Sequence, residues 1–277
     1  MISKEAYAKI NLTLDVVGKR DDGYHLLETV MQTVSLCDVV SADKADADDI
    51  VITCSDERVP VDAKNTCHKA ARVFFERTGI AGGVRIDIEK HIPSEAGLGG
   101  GSSDAAAALC LLNELYDARL SYSELEDMAA KVGADVAFCI QGGAAVCRGI
   151  GEKMERIALP ERWVLLVKPD FGVSTPEAYR LFDEKGEVSS YGTKAFLDAL
   201  NSGGNPYECL SNDLEAALCN LEIAKIRREL IEFGAAASQM TGSGSCVFGV
   251  FDNEDTARRA ERYMQERIGF ATLCRTI

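Results

Sequence analysis

The stretch PSEAGLGGGSSDAAAAL, Pro93 to Leu109, sets four glycines within five residues directly against a run of alanines. Glycine permits positive φ and lets a ligand approach the backbone closely. A helix start leaves free N–H groups and carries the positive end of the helix dipole. Side by side, the two make a site for an anion, phosphate above all. So dense a glycine run costs stability and needs a reason, and the alanine-rich helix packs tightly beneath.

Two common phosphate loops do not fit. A Walker loop needs a lysine directly after its glycines, and none follows here. The dinucleotide pattern G-x-G-x-x-G fails as well: from Gly97 the sixth position is Ser102, and from Gly99 it is Asp104. Such loops also follow a strand buried on both faces. The segment before this one, VRIDIEKHI, alternates strictly, with Val84, Ile86 and Ile88 toward a core and Arg85, Asp87 and Glu89 toward water.

Working outward, Ala8 to Val16 alternates too. Ile10, Leu12, Leu14 and Val16 share one face, Asn11, Thr13 and Asp15 the other, which predicts a half-buried strand. KRDDGY, Lys19 to Tyr24, is a turn before a second strand over Leu27 to Leu36, and DKADADD, Asp43 to Asp49, reads as an acidic surface turn. Asn65 to Thr78 has helical spacing and a stop at Gly79. Helices are expected from Ser103 to Tyr116 and from Ser121 to Lys131, the latter with Ser121 and Glu124 at capping-box spacing. After the strand Ala144 to Arg148, the segment Arg148 to Pro160 is polar and turn-rich. The domain boundary is expected there, giving domains 1–155 and 156–277. The second half reads as a strand, several helices and a second glycine loop, MTGSGS (Met240 to Ser245). A strand, CVFGVF, and a last helix capped by Asn253 or Asp255 follow.

Composition narrows the function. The chain has 277 residues, 47% apolar, and a formal charge of −14, which disfavours nucleic acid and anionic membranes as partners. The N-terminus has no signal-peptide pattern, and the charge-free run Phe233 to Phe251 carries too many glycines and polar residues for a membrane span, so it reads as a loop between two elements. Ten scattered cysteines, none in C-x-x-C, and three histidines argue against structural zinc and for reduced, mostly buried thiols in a cytoplasmic protein.

P-x-x-x-G-L-x-G-G-S-S-D-A-A (Pro93 to Ala106) resembles the phosphate loop of the galactokinase, homoserine kinase, mevalonate kinase and phosphomevalonate kinase superfamily, the GHMP kinases. AKINLTLDVVGKRDDGYH (Ala8 to His25) resembles its first strand and substrate turn, and TGSGSCVF (Thr241 to Phe248) its third motif. The three lie in the family's order along the whole chain. They are most similar to the branch that phosphorylates the 2-hydroxyl of a cytidine-diphosphate-linked methylerythritol, in the non-mevalonate isoprenoid route. The resemblance implies an α+β fold of two domains, a ribosomal-S5-like N-terminal one and a ferredoxin-like C-terminal one, with the active site in the cleft between them. It implies ATP and Mg²⁺, a small-molecule substrate and no required protein partner. The rivals are a sister kinase on homoserine, mevalonate or a sugar, and a non-catalytic nucleotide or sugar sensor. Gly23-Tyr24-His25 and Tyr179 speak against the first, and Lys9, Asp135 and the intact loop against the second.

Asp135 sits among apolar neighbours in VGADVAF, where a carboxylate is costly unless paired or used. Lys9 stands alone among inward-looking residues on the first strand. Either could be an ordinary charge; the resemblance implies that both are catalytic, Asp135 acting on the hydroxyl and Lys9 holding and activating it, with Asn11 nearby. It assigns ATP to Pro93, Ser94, Glu95, Ala96, Gly97, Leu98, Gly99, Gly100, Gly101, Ser102 and Ser103, with Asn65 and Thr66 near the base or ribose. It places Tyr24 and His25 at the cytosine ring, Tyr179 as a second aromatic wall, and Thr241, Gly242 and Ser243 over the substrate. Glu95 is electrostatically awkward beside a triphosphate unless it points away or helps hold Mg²⁺. No pattern marks the metal ligands.

Overall fold

The computed structural model describes residues 1–46, 48–186 and 189–277. Two compact units form: residues 1–8, 36–94 and 99–142, and residues 9–35, 95–98 and 143–277. They interleave along the chain because two long strands, β1 (Ile2–Lys19) and β2 (His25–Ala45), each run through both.

In the first unit β3 (Ile50–Cys54) lies parallel to β4 (Gly83–Glu89), and β4 runs antiparallel to the C-terminal part of β2. The alternation predicted for β4 holds, with Val84, Ile86 and Ile88 buried and Arg85, Asp87 and Glu89 exposed. The acidic segment at 43–49 is a turn only in part: Asp43, Lys44 and Ala45 extend β2 and pair with Arg85, Val84 and Gly83, while Ala47 lies outside the described residues. Charged side chains suit the exposed face of such a strand, so polarity alone misplaced its end. Helices α1 (Thr66–Thr78), α2 (Gly100–Leu115), α3 (Tyr122–Val132) and α4 (Val136–Gln141) pack on one another. Asn65 caps α1, Gly79 ends it in the left-handed region, and the Ser121–Glu124 capping box opens α3. α2 begins three residues earlier than its spacing suggests, so Gly100 and Gly101 belong to its first turn.

In the second unit β5 (Ala144–Gly149) pairs with the N-terminal part of β2 and with β6 (Lys153–Ile157), a strand hidden in the polar segment before Pro160. β7 (Trp163–Lys168), α5 (Thr175–Lys185) and α6 (Gly192–Asn201) follow. Next come β8 (Ser211–Asn212), paired with β1, and α7 (Asp213–Leu218). α8 (Leu221–Glu232), β9 (Ala237–Met240), β10 (Val247–Phe251), α9 (Glu254–Ile268) and β11 (Phe270–Arg275) close the chain. The sheet order β11-β7-β10-β9 is antiparallel throughout, and α8 and α9 pack on it, which is the ferredoxin-like arrangement. Its core joins Leu165, Val167, Ile226, Leu230, Val247, Phe251, Ala257 and Met264. The charge-free run Phe233 to Phe251 is therefore largely a hairpin, β9 and β10, buried on both faces rather than a plain loop. Among the described residues no helix is long and apolar enough to cross a membrane. Of the ten free cysteines, Cys67, Cys147, Cys246 and Cys274 are buried, Cys219 is exposed and the rest are partly covered, so the thiols are less buried than their number suggests.

Candidate active site

β1 departs most from its predicted pattern. Ala8 to Val16 is buried on both faces, and Asn11, Thr13 and Asp15 are 2%, 0% and 0% exposed. Buried polar groups need partners, and the second unit supplies them. Asn11 Nδ2 donates to Thr29 Oγ1 at 2.9 Å, Thr29 Oγ1 to the Thr13 carbonyl at 2.5 Å, and Thr13 Oγ1 meets Thr193 Oγ1 at 2.7 Å. The Asp15 carboxylate accepts the N–H groups of Gly192 and Thr193 at 3.0 and 2.8 Å, an anion seated on the first turn of α6. Burial raises the Asp15 pKa, and those N–H groups and the Thr193 side chain offset part of the rise.

At the head of this ladder lies Lys9, 4% exposed. Its ammonium donates to Asn11 Oδ1 at 2.7 Å and to the Gly97 carbonyl at 3.0 Å, while its backbone N–H donates to Leu98. The MTGSGS turn closes on the same point. Thr241 Oγ1 accepts the Asn11 N–H at 2.9 Å and donates to the Gly97 carbonyl at 3.3 Å. Gly97 has φ +72°, and a Cβ there would stand 2.1 Å from the Thr241 carbonyl, so only glycine allows this approach. The carbonyls of Glu95 and Ala96 accept from the N–H groups of Ser245 and Cys246. Buried Asn212 holds the turn from behind by donating to Met240 and Gly242, and Ser243 Oγ meets Thr175 Oγ1 at 3.1 Å. Lys9, Asn11, Gly97, Thr241 and Gly242 thus come together as the three motifs suggest. Thr241 is wholly buried and acts as a brace. Glu95 is exposed at φ +52°, its carboxylate lying against the Gly172 backbone.

In the first unit the rest of the loop opens α2. Gly99 is its N-cap at φ +71°, and its carbonyl accepts from the Ser102 and Ser103 N–H groups. The N–H groups of Gly100 and Gly101 precede the first intrahelical bonds and are the ones an anion would use. Ser103 is buried, its hydroxyl donating to the Gly100 carbonyl; Pro93, Ser94 and Ser102 are half-buried. Thr66 Oγ1 donates to the Gly101 carbonyl at 2.6 Å, tying the N-terminus of α1 to that of α2. The Asn65 side chain is engaged in capping α1 and in donating to Pro60.

Beneath Gly100 lies a buried ionic cluster. Lys90 Nζ sits 2.5 Å from Asp38 Oδ2 and 2.7 Å from Asp104 Oδ2, with side chains 7%, 0% and 4% exposed. Asp38 Oδ1 also accepts the His91 and Ile92 N–H groups, whereas Asp104 Oδ1 is buried with no partner among the described residues. Burial pushes the Asp104 pKa up to about 7; Lys90 opposes the rise and Asp38 adds to it. A carboxyl whose folded pKa exceeds its unfolded value favours the folded state at low pH and loses that advantage as pH rises through the folded pKa. The stability of wild type relative to Asp104→Asn is therefore expected to fall between about pH 4 and pH 7. The limiting slope is ~1.4 kcal/mol per pH unit, read from paired denaturant titrations across that range.

At the far end of β1 the turn delivers His25 to α5. The His25 ring stacks on Tyr179, with centroids 4.5 Å apart and planes 16° apart, and meets Phe182 edge-on at 6.3 Å. His25 Nε2 is 2.8 Å from Asp183 Oδ1, and Lys19 Nζ is 2.5 Å from Asp183 Oδ2. Tyr179 thus gives one face to His25, and Tyr24 is 62% exposed. Asp135 occupies the N-cap position of α4, half-buried, and its carboxylate makes no cap hydrogen bond. Reasoning from sequence missed Asp38, Lys90, Asn212 and Asp183. Lys90 had a signal, because it continues the inward phase of Val84, Ile86 and Ile88.

Residues 65–143 match the GHMP kinases N-terminal domain and residues 192–268 the GHMP kinases C-terminal domain. The chain is 42% identical over 99% of both chains to the 4-diphosphocytidyl-2-C-methyl-D-erythritol kinase of Clostridium tetani. It is 43% identical to that of Caldicellulosiruptor saccharolyticus, over 93% of this chain and 91% of the other. A crystal structure of 4-(cytidine 5'-diphospho)-2C-methyl-D-erythritol kinase superposes with a TM-score of 0.82 at 35% identity, covering 99% of each chain. Homoserine kinase from Cytophaga hutchinsonii shares the fold at a TM-score of 0.77 and 18% identity, over 99% of this chain and 94% of that one. The chain belongs to the 4-diphosphocytidyl-2-C-methyl-D-erythritol kinase family of the GHMP kinases.

Proposed function

We infer that the protein transfers the γ-phosphoryl group of ATP to the 2-hydroxyl of 4-diphosphocytidyl-2-C-methyl-D-erythritol, a step of the non-mevalonate isoprenoid route. The observation that carries this reading is identity above 40% over 99% of the chain with a kinase of that name. The domain division at 155/156 is part of the same reading, and the two family matches lie on either side of it.

GHMP kinases use ATP. In the proposed reaction the hydroxyl oxygen bonds to the γ-phosphorus as the bond to the β–γ bridging oxygen breaks, and ADP leaves. Asp135 accepts the hydroxyl proton. Lys9, held by Asn11 and Gly97, stabilises charge at the acceptor oxygen, which is positioning and electrostatics of the kind phosphoryl transfer requires. The Gly100 and Gly101 N–H groups bind the phosphates at the N-terminus of α2, beside that of α1. Mg²⁺ is proposed to come with the nucleotide. Among the described residues no three His, Cys, Asp or Glu side chains group as a metal site, and Mg²⁺ characteristically needs one or two carboxylates besides phosphate and water.

Gly100→Val is expected to raise KM for ATP far more than KM for the alcohol. The added methyls would crowd Lys90 Nζ and Ile92, which lie 3.2 and 3.1 Å from a Cβ at that site. Equal losses for both substrates would indicate general unfolding.

Cytosine presents an amino donor where uracil presents a carbonyl, so a site built around one leaves polar groups unpaired with the other, at about 1–3 kcal/mol each. The test of the function is kcat/KM for the cytidine substrate and its uridine analogue. A strong cytidine preference is expected, eroded by His25→Ala, with weaker binding of both in Tyr179→Ala. Equal use of the two by wild type would favour a sister kinase.

A further inference from the structure

Around His25, at the start of β2, Lys19 and three residues of α5 form an arrangement that a general aromatic pocket does not need. Tyr179 holds the plane of the His25 ring, Phe182 backs its edge, and Asp183 takes Nε2. Lys19, the last residue of β1, engages the other oxygen of the same carboxylate. The ring is thereby fixed in position and in rotation. Among the described residues Nδ1 has no hydrogen-bond partner, and it is the one polar atom of the ring left for a ligand.

A carboxylate only accepts hydrogen bonds, so the nitrogen facing it must carry the proton. In a neutral imidazole the other nitrogen is then a lone-pair acceptor. Lys19 draws on the same carboxylate and, with His25, holds the Asp183 carboxyl below the usual range, so that it stays an acceptor.

We propose that Asp183 is a positioning residue for base selectivity: it fixes His25 as the tautomer protonated at Nε2 and so presents Nδ1 as an acceptor matched to the exocyclic amino group of a cytosine. The proposal rests on the reading of this pocket as the base site. A uracil would set its own carbonyl oxygen against the Nδ1 lone pair, two acceptors with no proton between them. Selectivity of that kind needs the wrong tautomer to be suppressed, because a ring free to carry its proton on Nδ1 would accept uracil. Tyr179 then serves by supporting the ring that reads the base.

The first measurement is long-range ¹H–¹⁵N correlation of the imidazoles at pH 8. The chain has three histidines, and the His25 signals are those lost in His25→Ala. Wild type is expected to show a protonated Nε2 and an unprotonated Nδ1 at His25, and Asp183→Leu a mixture of tautomers. Second, the ratio of kcat/KM for the cytidine substrate over the uridine analogue is expected to fall by about 10-fold or more in Asp183→Leu, with Asp183→Glu retaining most of it. The comparison within one variant cancels any loss of folded enzyme. A proton on Nδ1 in wild type, or an unchanged ratio in Asp183→Leu while His25→Ala loses it, overturns the proposal and leaves the pocket reading standing. An unchanged ratio in His25→Ala overturns both.

Discussion

Asp135→Asn is expected to lower phosphoryl transfer by about 10²-fold or more, the scale of general base catalysis, with ATP binding and the unfolding midpoint nearly unchanged. The substitution is close to isosteric and keeps the hydrogen-bonding reach of the side chain while removing its charge and most of its basicity. Single-turnover rates and ATP titrations on the purified variant separate the two effects, and near-normal turnover would remove Asp135 from the chemistry. Lys9→Ala should lose transfer on a similar scale, but it carries a second cost. Lys9 is buried and donates to Asn11 Oδ1 and the Gly97 carbonyl. Its loss leaves buried acceptors short of a donor, at ~1–3 kcal/mol for such a group, and removes the side-chain bond that ties the Gly97 carbonyl to β1. Lys9→Ala is therefore expected to weaken ATP and lower the unfolding midpoint as well, which Asp135→Asn does not.

Lys90→Met is expected to destabilise the protein by ~3–5 kcal/mol, the loss usual when one partner of a buried ion pair is removed. It leaves Asp38 and Asp104 facing each other, both almost wholly buried. Against a typical total of ~5–15 kcal/mol this is a large fraction. Denaturant titration should show a lower midpoint at an unchanged slope. Part of the loss should return on acidification, because Asp104 is the carboxyl whose pKa already lies near 7 and protonates first. An unfolding free energy within about 0.5 kcal/mol of wild type, the range of ordinary surface changes, would mean that water reaches the cluster.

What the sequence determined by itself is local. The glycine run, the capping box at Ser121, the cap at Asn65, the stop at Gly79 and the alternation of β4 are each written in a few adjacent residues. Turn chemistry, helix ends and phosphate loops act over that range, so they can be read without the fold. The same holds for the spacing of Lys9, the glycine loop and the Thr241 turn, three motifs in a recognisable order. Tertiary structure decided which polar faces are buried. Asn11, Thr13 and Asp15 look solvent-facing in an alternating strand, yet Thr29, Thr193 and the N-terminus of α6 cover them with matched hydrogen bonds from far along the chain. Hydrophobic periodicity reports the water boundary only where polar groups have no partner but water. Lys90 was inward by phase, but its two carboxylates lie 52 and 14 residues away, and nothing local ties them together. Asp183 meets His25 across 158 residues, a pairing that exists only once α5 has folded beside the β1–β2 hairpin.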